Sequence, residues 1–231
     1  MFSIQFDDID TWETYQLVPT SRPDVNPPAA KTNYIDVYSP DGALDLSTSL
    51  TGFMLFDNRK GSWEFYTRNR AMPWEVLYHR LLNEIHGRHF RVKLSQQPDF
   101  YYIGRIFVKD PKSPKTHTDL TLEYFLEPYK YELTTSLEPW LWDPFNFETG
   151  IIRDYSGLAV DGTLALFIPA SSRPYIPTIT ASAAMTVETG GETYQLAAGE
   201  NRITEILIDK DTTLTFSGSG TVSVEYQGAW L

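Results

Sequence analysis

Histidines and clustered carboxylates are the first residues in this chain whose types and spacing invite chemistry. The four histidines are His79, His86, His89 and His117. His79 and His86 stand seven apart, on one face of a predicted helix, with Glu84 close in sequence. A zinc-binding helix needs H-E-x-x-H, two imidazoles one turn apart with an acid between them, and this spacing does not supply it. Both therefore read as solvent-side residues, and His86 falls near a helix C-terminus, where positive charge is favoured. Asp7, Asp8 and Asp10 cluster, as do Asp41 and Asp45. Paired carboxylates can hydrolyse glycosidic bonds, but both sets fall at predicted turns, where aspartate caps the backbone. There is no G-x-S-x-G elbow for a serine nucleophile. Ser217-Gly218-Ser219-Gly220 lacks the lysine of a phosphate-binding loop and reads as a hairpin turn between two strands. The chain has no cysteine, which excludes disulfides, thiolate metal sites and cysteine nucleophiles. The expectation is no catalytic residue, no metal site and no cofactor.

Trp140, Trp142 and Trp230 fall near a predicted domain junction or the C-terminus. Aromatics there can pack the junction, anchor a protein interface or stack on a sugar. They are the candidate carbohydrate or partner contacts.

The elements that would position these residues are mostly strands. Residues 2–6 and 14–18 read as short strands. Residues 19–31 hold Pro19, Pro23, Pro27 and Pro28, which exclude a helix or a central strand and predict a long functional or mobile loop. Residues 34–38 alternate like a strand and lead into a Pro40-Asp41-Gly42 turn. Residues 50–56 and 62–67 read as a hairpin turning at Gly61. Trp74, Leu77, Tyr78, Leu81, Leu82 and Ile85 follow the period of an amphipathic helix over 73–86, with Pro73 in its first turn and Gly87 as its stop. Strands resume at 91–94, 100–108 and 120–131, with a polar loop at 109–119. Past residue 135 no helical period appears. Met185 and Val187, Tyr194 and Leu196, Leu214 and Phe216, then Val222, Val224 and Tyr226 alternate with polar residues, with Gly190-Gly191 as a turn. The predicted fold is mostly β. Residues 1–135 form a β-sheet or sandwich domain with one covering helix, and residues 136–231 form an antiparallel β-sandwich.

Composition sets further bounds. The chain has 231 residues, 42% hydrophobic and 14% aromatic, enough for a packed core. Its net charge is −11, split as −3 over residues 1–135 and −8 over residues 136–231. That balance argues against a dedicated nucleic-acid binder and against an anionic membrane surface. No signal peptide or transmembrane stretch is visible, so synthesis in the cytoplasm without membrane insertion is expected.

The order of these features resembles the phage distal tail proteins (Dit). Residues 34–37, Pro40-Asp41-Gly42, Leu44-Asp45-Leu46, Asn58-Arg59, Trp74, Leu77 and Leu81, His86-Gly87, residues 101–105 and residues 127–131 carry the likeness in the N-terminal unit. Gly199-Glu200-Asn201, residues 214–216, Gly218-Ser219-Gly220 and residues 222–226 carry it in the C-terminal unit. The resemblance implies an N-terminal domain that closes into a homo-hexameric ring and a galectin-like C-terminal domain that projects outward. It implies a place at the virion tail tip, of an infectious phage or a prophage, joining the tail tube protein to the tail-associated fibre or lysin protein. Receptor-binding parts and host adhesion would be served from the outer domain, with no enzyme activity and no sequence-specific nucleic acid. A carbohydrate-binding module or receptor-binding accessory protein is the alternative, motivated by the acidic, aromatic C-terminal domain. A cell-wall hydrolase is a weaker one, resting on the carboxylates alone.

Overall fold

A computed structural model describes residues 2–38, 41–67, 72–109, 119–138 and 154–231. Trp140, Trp142, His117, Pro40 and most of the predicted 109–119 loop lie outside the described residues. The fold is mostly β, with antiparallel sheets and, among the described residues, two helices. The chain divides into two compact units, Met1–Lys130 with Leu231, and Tyr131–Trp230. Among the described residues no helix is long and apolar enough to cross a membrane.

The first unit opens with β1 (Ile4–Phe6) and β2 (Ile9–Asp10). The helix α1 (Thr11–Tyr15) follows and leads into β3 (Leu17–Pro19). Asp10 caps α1 by accepting the Trp12 and Glu13 N–H groups at 2.8 and 3.0 Å, and Gln16 ends it in the left-handed region at φ 54°. The strand expected over 14–18 is thus split: residues 14 and 15 end this helix, and residues 17 and 18 begin β3. After a long loop come β4 (Tyr34–Asp36) and β5 (Ala43–Asp45), then β6 (Arg59–Thr67) and α2 (Trp74–Glu84). The unit closes with β7 (His89–Leu94), β8 (Phe100–Val108), β9 (Asp119–Leu126) and β10 (Lys130–Glu132), within which the division between units falls.

Strands order β2-β1-β7-β8-β9-β6-β3 in one antiparallel sheet. Pro19 sits on the edge strand β3, where its missing N–H leaves no gap in the ladder. One face carries the core: Ile4, Phe6, Trp63, Phe65, Val92, Tyr102, Ile106, Leu120, Leu122 and Leu126 pack with Leu77, Leu81 and Ile85. Trp74, Tyr78 and Leu82 flank that stripe, half-buried. Pro73 stands at the N-cap of α2 without a side-chain cap, and Gly87, at φ 73°, turns the chain into β7 while its N–H donates to the Ile106 carbonyl at 2.7 Å.

The second unit contains β11 (Leu158–Ile168), β12 (Thr178–Ala181), β13 (Met185–Thr189), β14 (Glu192–Leu196), β15 (Gly199–Asn201), β16 (Thr212–Glu225) and β17 (Ala229–Trp230). β16 is its spine. It pairs with β11 along that strand's whole length, and on its other edge with β13 and then β12. Ile179, Val187, Leu214, Phe216, Val222 and Val224 fill this core.

Two predicted turns are corrected. Ser217-Gly218-Ser219-Gly220 lies inside β16, opposite Thr163, Gly162, Asp161 and Val160 of β11 in turn. Its glycines answer to crowding: a Cβ on Gly218 would lie 2.8 Å from the Met185 Cβ, and one on Gly220 2.6 Å from the Ser182 Oγ. Gly61 likewise lies within β6, and residues 50–56 do not pair with it. The Gly190-Gly191 turn between β13 and β14 is as expected, both glycines having positive φ.

Candidate self-assembly surface

The Pro-rich segment 19–31 runs across the first unit's sheet as a fastened strap. The Thr20 N–H donates to the Glu64 carbonyl at 2.9 Å. Gln96 Nε2 reaches the Pro23 carbonyl, and Trp63 Nε1 donates to the Asp24 carbonyl at 2.7 Å. Val25 is buried in the core. Asn26 then makes three bonds. Its N–H donates to the Tyr124 hydroxyl at 2.9 Å, its Nδ2 to the Lys60 carbonyl at 2.9 Å, and its carbonyl accepts Arg59 Nη1 at 3.0 Å. With four prolines removing donors, side chains of the sheet do the pairing that a backbone ladder would otherwise do.

Arg59 is the centre of this fastening. It is 4% exposed, its Nε donates to the Pro128 carbonyl at 2.7 Å, and its guanidinium lies 5.6 Å from the Tyr102 ring centre. Burial lowers its pKa, opposed by Tyr102, Tyr124 and Asp24. Its Nη2 is buried with no hydrogen-bond partner among the described residues.

The strap ends in a clamped base. Asp57 N–H donates to the Ala29 carbonyl and Lys31 N–H to the Leu55 carbonyl, both at 2.8 Å, and Ala30 bridges Phe56. The Phe56 ring meets Tyr129 edge-on at 6.2 Å. Between these two stems lies the β4–β5 hairpin, and every residue of both strands is exposed. Seven large apolar side chains face solvent here: Tyr34, Ile35, Val37, Tyr38, Leu44, Leu50 and Leu55. Tyr38 and Leu50 are essentially fully exposed, at 108% and 98%. The 34–38 alternation thus marks a strand, but neither face of it enters the core. Both outer edges of the two-stranded ribbon are also free of other strands among the described residues. An exposed apolar patch of this kind is a candidate recognition surface.

The residues singled out for chemistry are dispersed or already engaged. Asp7 accepts the Arg91 N–H at 2.9 Å, Asp10 caps α1, and Asp45 accepts the Ser47 N–H at 2.8 Å. The Ser47 bonds hold the Asp45 carboxyl below its usual pKa. His79 is exposed on α2, whereas His86 lies past the helix end, where its Nδ1 accepts the Val108 N–H at 3.1 Å. No group of three or more potential metal ligands converges among the described residues. Trp230 is half-buried and donates from Nε1 to Glu132 at 2.9 Å. Arg59 and the hairpin enter the sequence reading only as carriers of the resemblance, with no role as a buried fastening or an exposed apolar surface. The only available signals were Asn58-Arg59 and the apolar residues flanking a turn.

No protein-family model matches the chain, and no curated protein sequence does. Its fold is similar to a solved structure over the whole of both chains, with a TM-score of 0.63 and 12% identity. That structure is the SPP1 Dit protein, described as a paradigm of hub adsorption apparatus in Gram-positive infecting phages.

Proposed function

We propose that this chain is a structural component of a phage tail tip that assembles with copies of itself into a hexameric ring. The observation that carries the reading is the clamped β4–β5 hairpin with its seven exposed apolar side chains. The whole-chain likeness to a phage hub protein supports the same reading. Burying one large apolar side chain contributes about 1.5–3 kcal/mol, so full burial of these seven sets an upper bound of roughly 10–20 kcal/mol. Association costs about 4–15 kcal/mol, which offsets much of that gain between two chains. A closed ring gives each copy two interfaces and removes the free ends, which favours the cycle over a pair.

In this reading the first unit forms the ring and the second, a galectin-like domain, faces outward as a platform for fibre, lysin or receptor-binding parts. The tail tube protein docks on one side. The chain performs no catalysis. Its place is the virion tail, reached from the cytoplasm of the host.

The test is solution mass by light scattering with electron microscopy of the same peak. Six chains of 26.4 kDa come to about 158 kDa. Ring-shaped particles near that mass are expected. A chain that stays monomeric at every concentration, alone and with its tail tube partner, overturns the reading.

A further inference from the structure

The face of the first unit's sheet that points away from the core has a cationic end. The register places His89 of β7 opposite Arg105 of β8, Arg105 opposite Phe125 of β9, and Phe125 opposite Lys60 of β6. These four residues therefore form one row across four strands, spaced by the roughly 4.8 Å between neighbouring strands. All four are exposed, Phe125 at 41%. Lys60 lies over the Phe125 ring at 5.5 Å, and Arg105 donates to the Gly87 carbonyl at 2.7 Å. Arg91 and Lys93 continue the cationic surface along β7 on the same face, since alternate residues of a strand share a side. None of these five side chains forms an ion pair among the described residues, although the Asp7 carboxylate accepts the Arg91 backbone N–H at 2.9 Å.

A cationic surface of this size is out of character for a chain of net charge −11. Copies of so acidic a chain repel one another, and assembly requires that the repulsion be offset where they touch. The same unit also carries an unmatched acidic corner. Asp8, in the β1–β2 turn, and Glu13, on α1, are exposed and have no ion pair among the described residues. This corner adjoins β7, which pairs with β1, whereas the Lys60 end of the row lies across the sheet, one strand in from the β3 end. A closed ring needs two different, complementary patches on each copy.

We infer that the row His89–Arg105–Phe125–Lys60 is a docking surface for a second copy of this chain, which presents its Asp8–Glu13 corner to it. This rests on the ring reading and names a heterologous contact within it, separate from the apolar hairpin. Phe125 supplies a desolvated centre and the flanking cations supply register.

Charge reversal tests it on the full-length chain, with sedimentation or light scattering in 50 and 500 mM NaCl. Wild-type association is expected to weaken about tenfold or more at the higher salt. Lys60→Glu with Arg105→Glu is expected to abolish association, as is Asp8→Lys with Glu13→Lys, and combining the four is expected to restore it. Far-UV circular dichroism confirms that each variant is folded, and the milder Lys60→Gln with Arg105→Gln is expected to give an intermediate loss. Rings that are insensitive to salt and tolerate Lys60→Glu with Arg105→Glu overturn this contact and leave the ring reading standing. A combination no better than its parents overturns the Asp8–Glu13 pairing. A wild-type chain that never associates removes both.

Discussion

Gly61 lies directly under the Tyr124 hydroxyl, so close that a Cβ at position 61 would overlap it. That hydroxyl also accepts the Asn26 N–H, 98 residues away. Gly61→Ala is therefore expected to push Tyr124 off the strap. Overpacking of this kind costs about 1–3 kcal/mol. Tyr124→Phe, which deletes the acceptor without crowding, is expected to cost about 1 kcal/mol. Urea unfolding of the two variants checks the order.

Arg59 makes its bonds through a planar fork, and lysine cannot reproduce them. Arg59→Lys is expected to destabilise the chain by roughly 2 kcal/mol, because the Pro128 and Asn26 carbonyls lose donors while a buried charge remains. Hydrogen exchange supplies the second readout: the Asn26 amide is expected to lose protection before the core amides of β8. Equal loss across both regions would contradict a local role.

Tyr15 and Glu84 give the first unit a pH dependence with two sides. The Tyr15 hydroxyl donates to Glu84 at 2.5 Å, and Arg80 Nε donates to the same carboxylate at 3.1 Å. The Tyr15 bond and then Arg80 hold the Glu84 pKa below its ordinary value. Stability from Glu84 is thus present above the unfolded-state value, near 4.3, and lost as pH falls through the lower folded-state value. Tyr15 is shifted upward, chiefly by burial and then by Glu84, so its contribution is present below about pH 10 and lost above it. Glu84 is part-exposed, so solvent screening keeps its share below about 1 kcal/mol. Glu84→Gln is expected to flatten the acid limb of a plot of urea midpoint against pH.

Tyr38 and Leu50 touch solvent alone. Tyr38→Asp with Leu50→Asp is expected to leave the melting behaviour of the monomer within about 0.5 kcal/mol of wild type. The same pair is expected to abolish assembly, as read by light scattering. A matching loss of monomer stability would mean that these residues pack internally.

Parts of this were legible in the sequence. The α2 stripe was, because Leu77, Leu81 and Ile85 recur at the helical period and bury one face. The alternation in β13 and β16 was also legible, for the same reason at period 2. Gly61 and Gly218 were misread because glycine signals both a turn and a close approach, and only tertiary contacts separate the two. α1 was missed because five residues are too few to show a period, although Asp10 with Glu13 three residues later carries the capping signal. The hairpin's exposure was hidden for another reason. Tyr34, Ile35 and Val37 alternate as a core strand would, and local pattern does not reveal whether a covering layer exists.

The clamped stems of the hairpin have a consequence for timing. Ala29, Ala30 and Lys31 pair with Leu55, Phe56 and Asp57 to close the base, and Phe56 packs on Tyr129 of the folded unit. The conformational freedom of these stems is lost when the chain folds, and little of it is left to lose on contact with another molecule. In the proposed ring, the ribbon needs no further ordering before contact, and none of the described residues covers it, so the concentration of the chain would set when assembly begins.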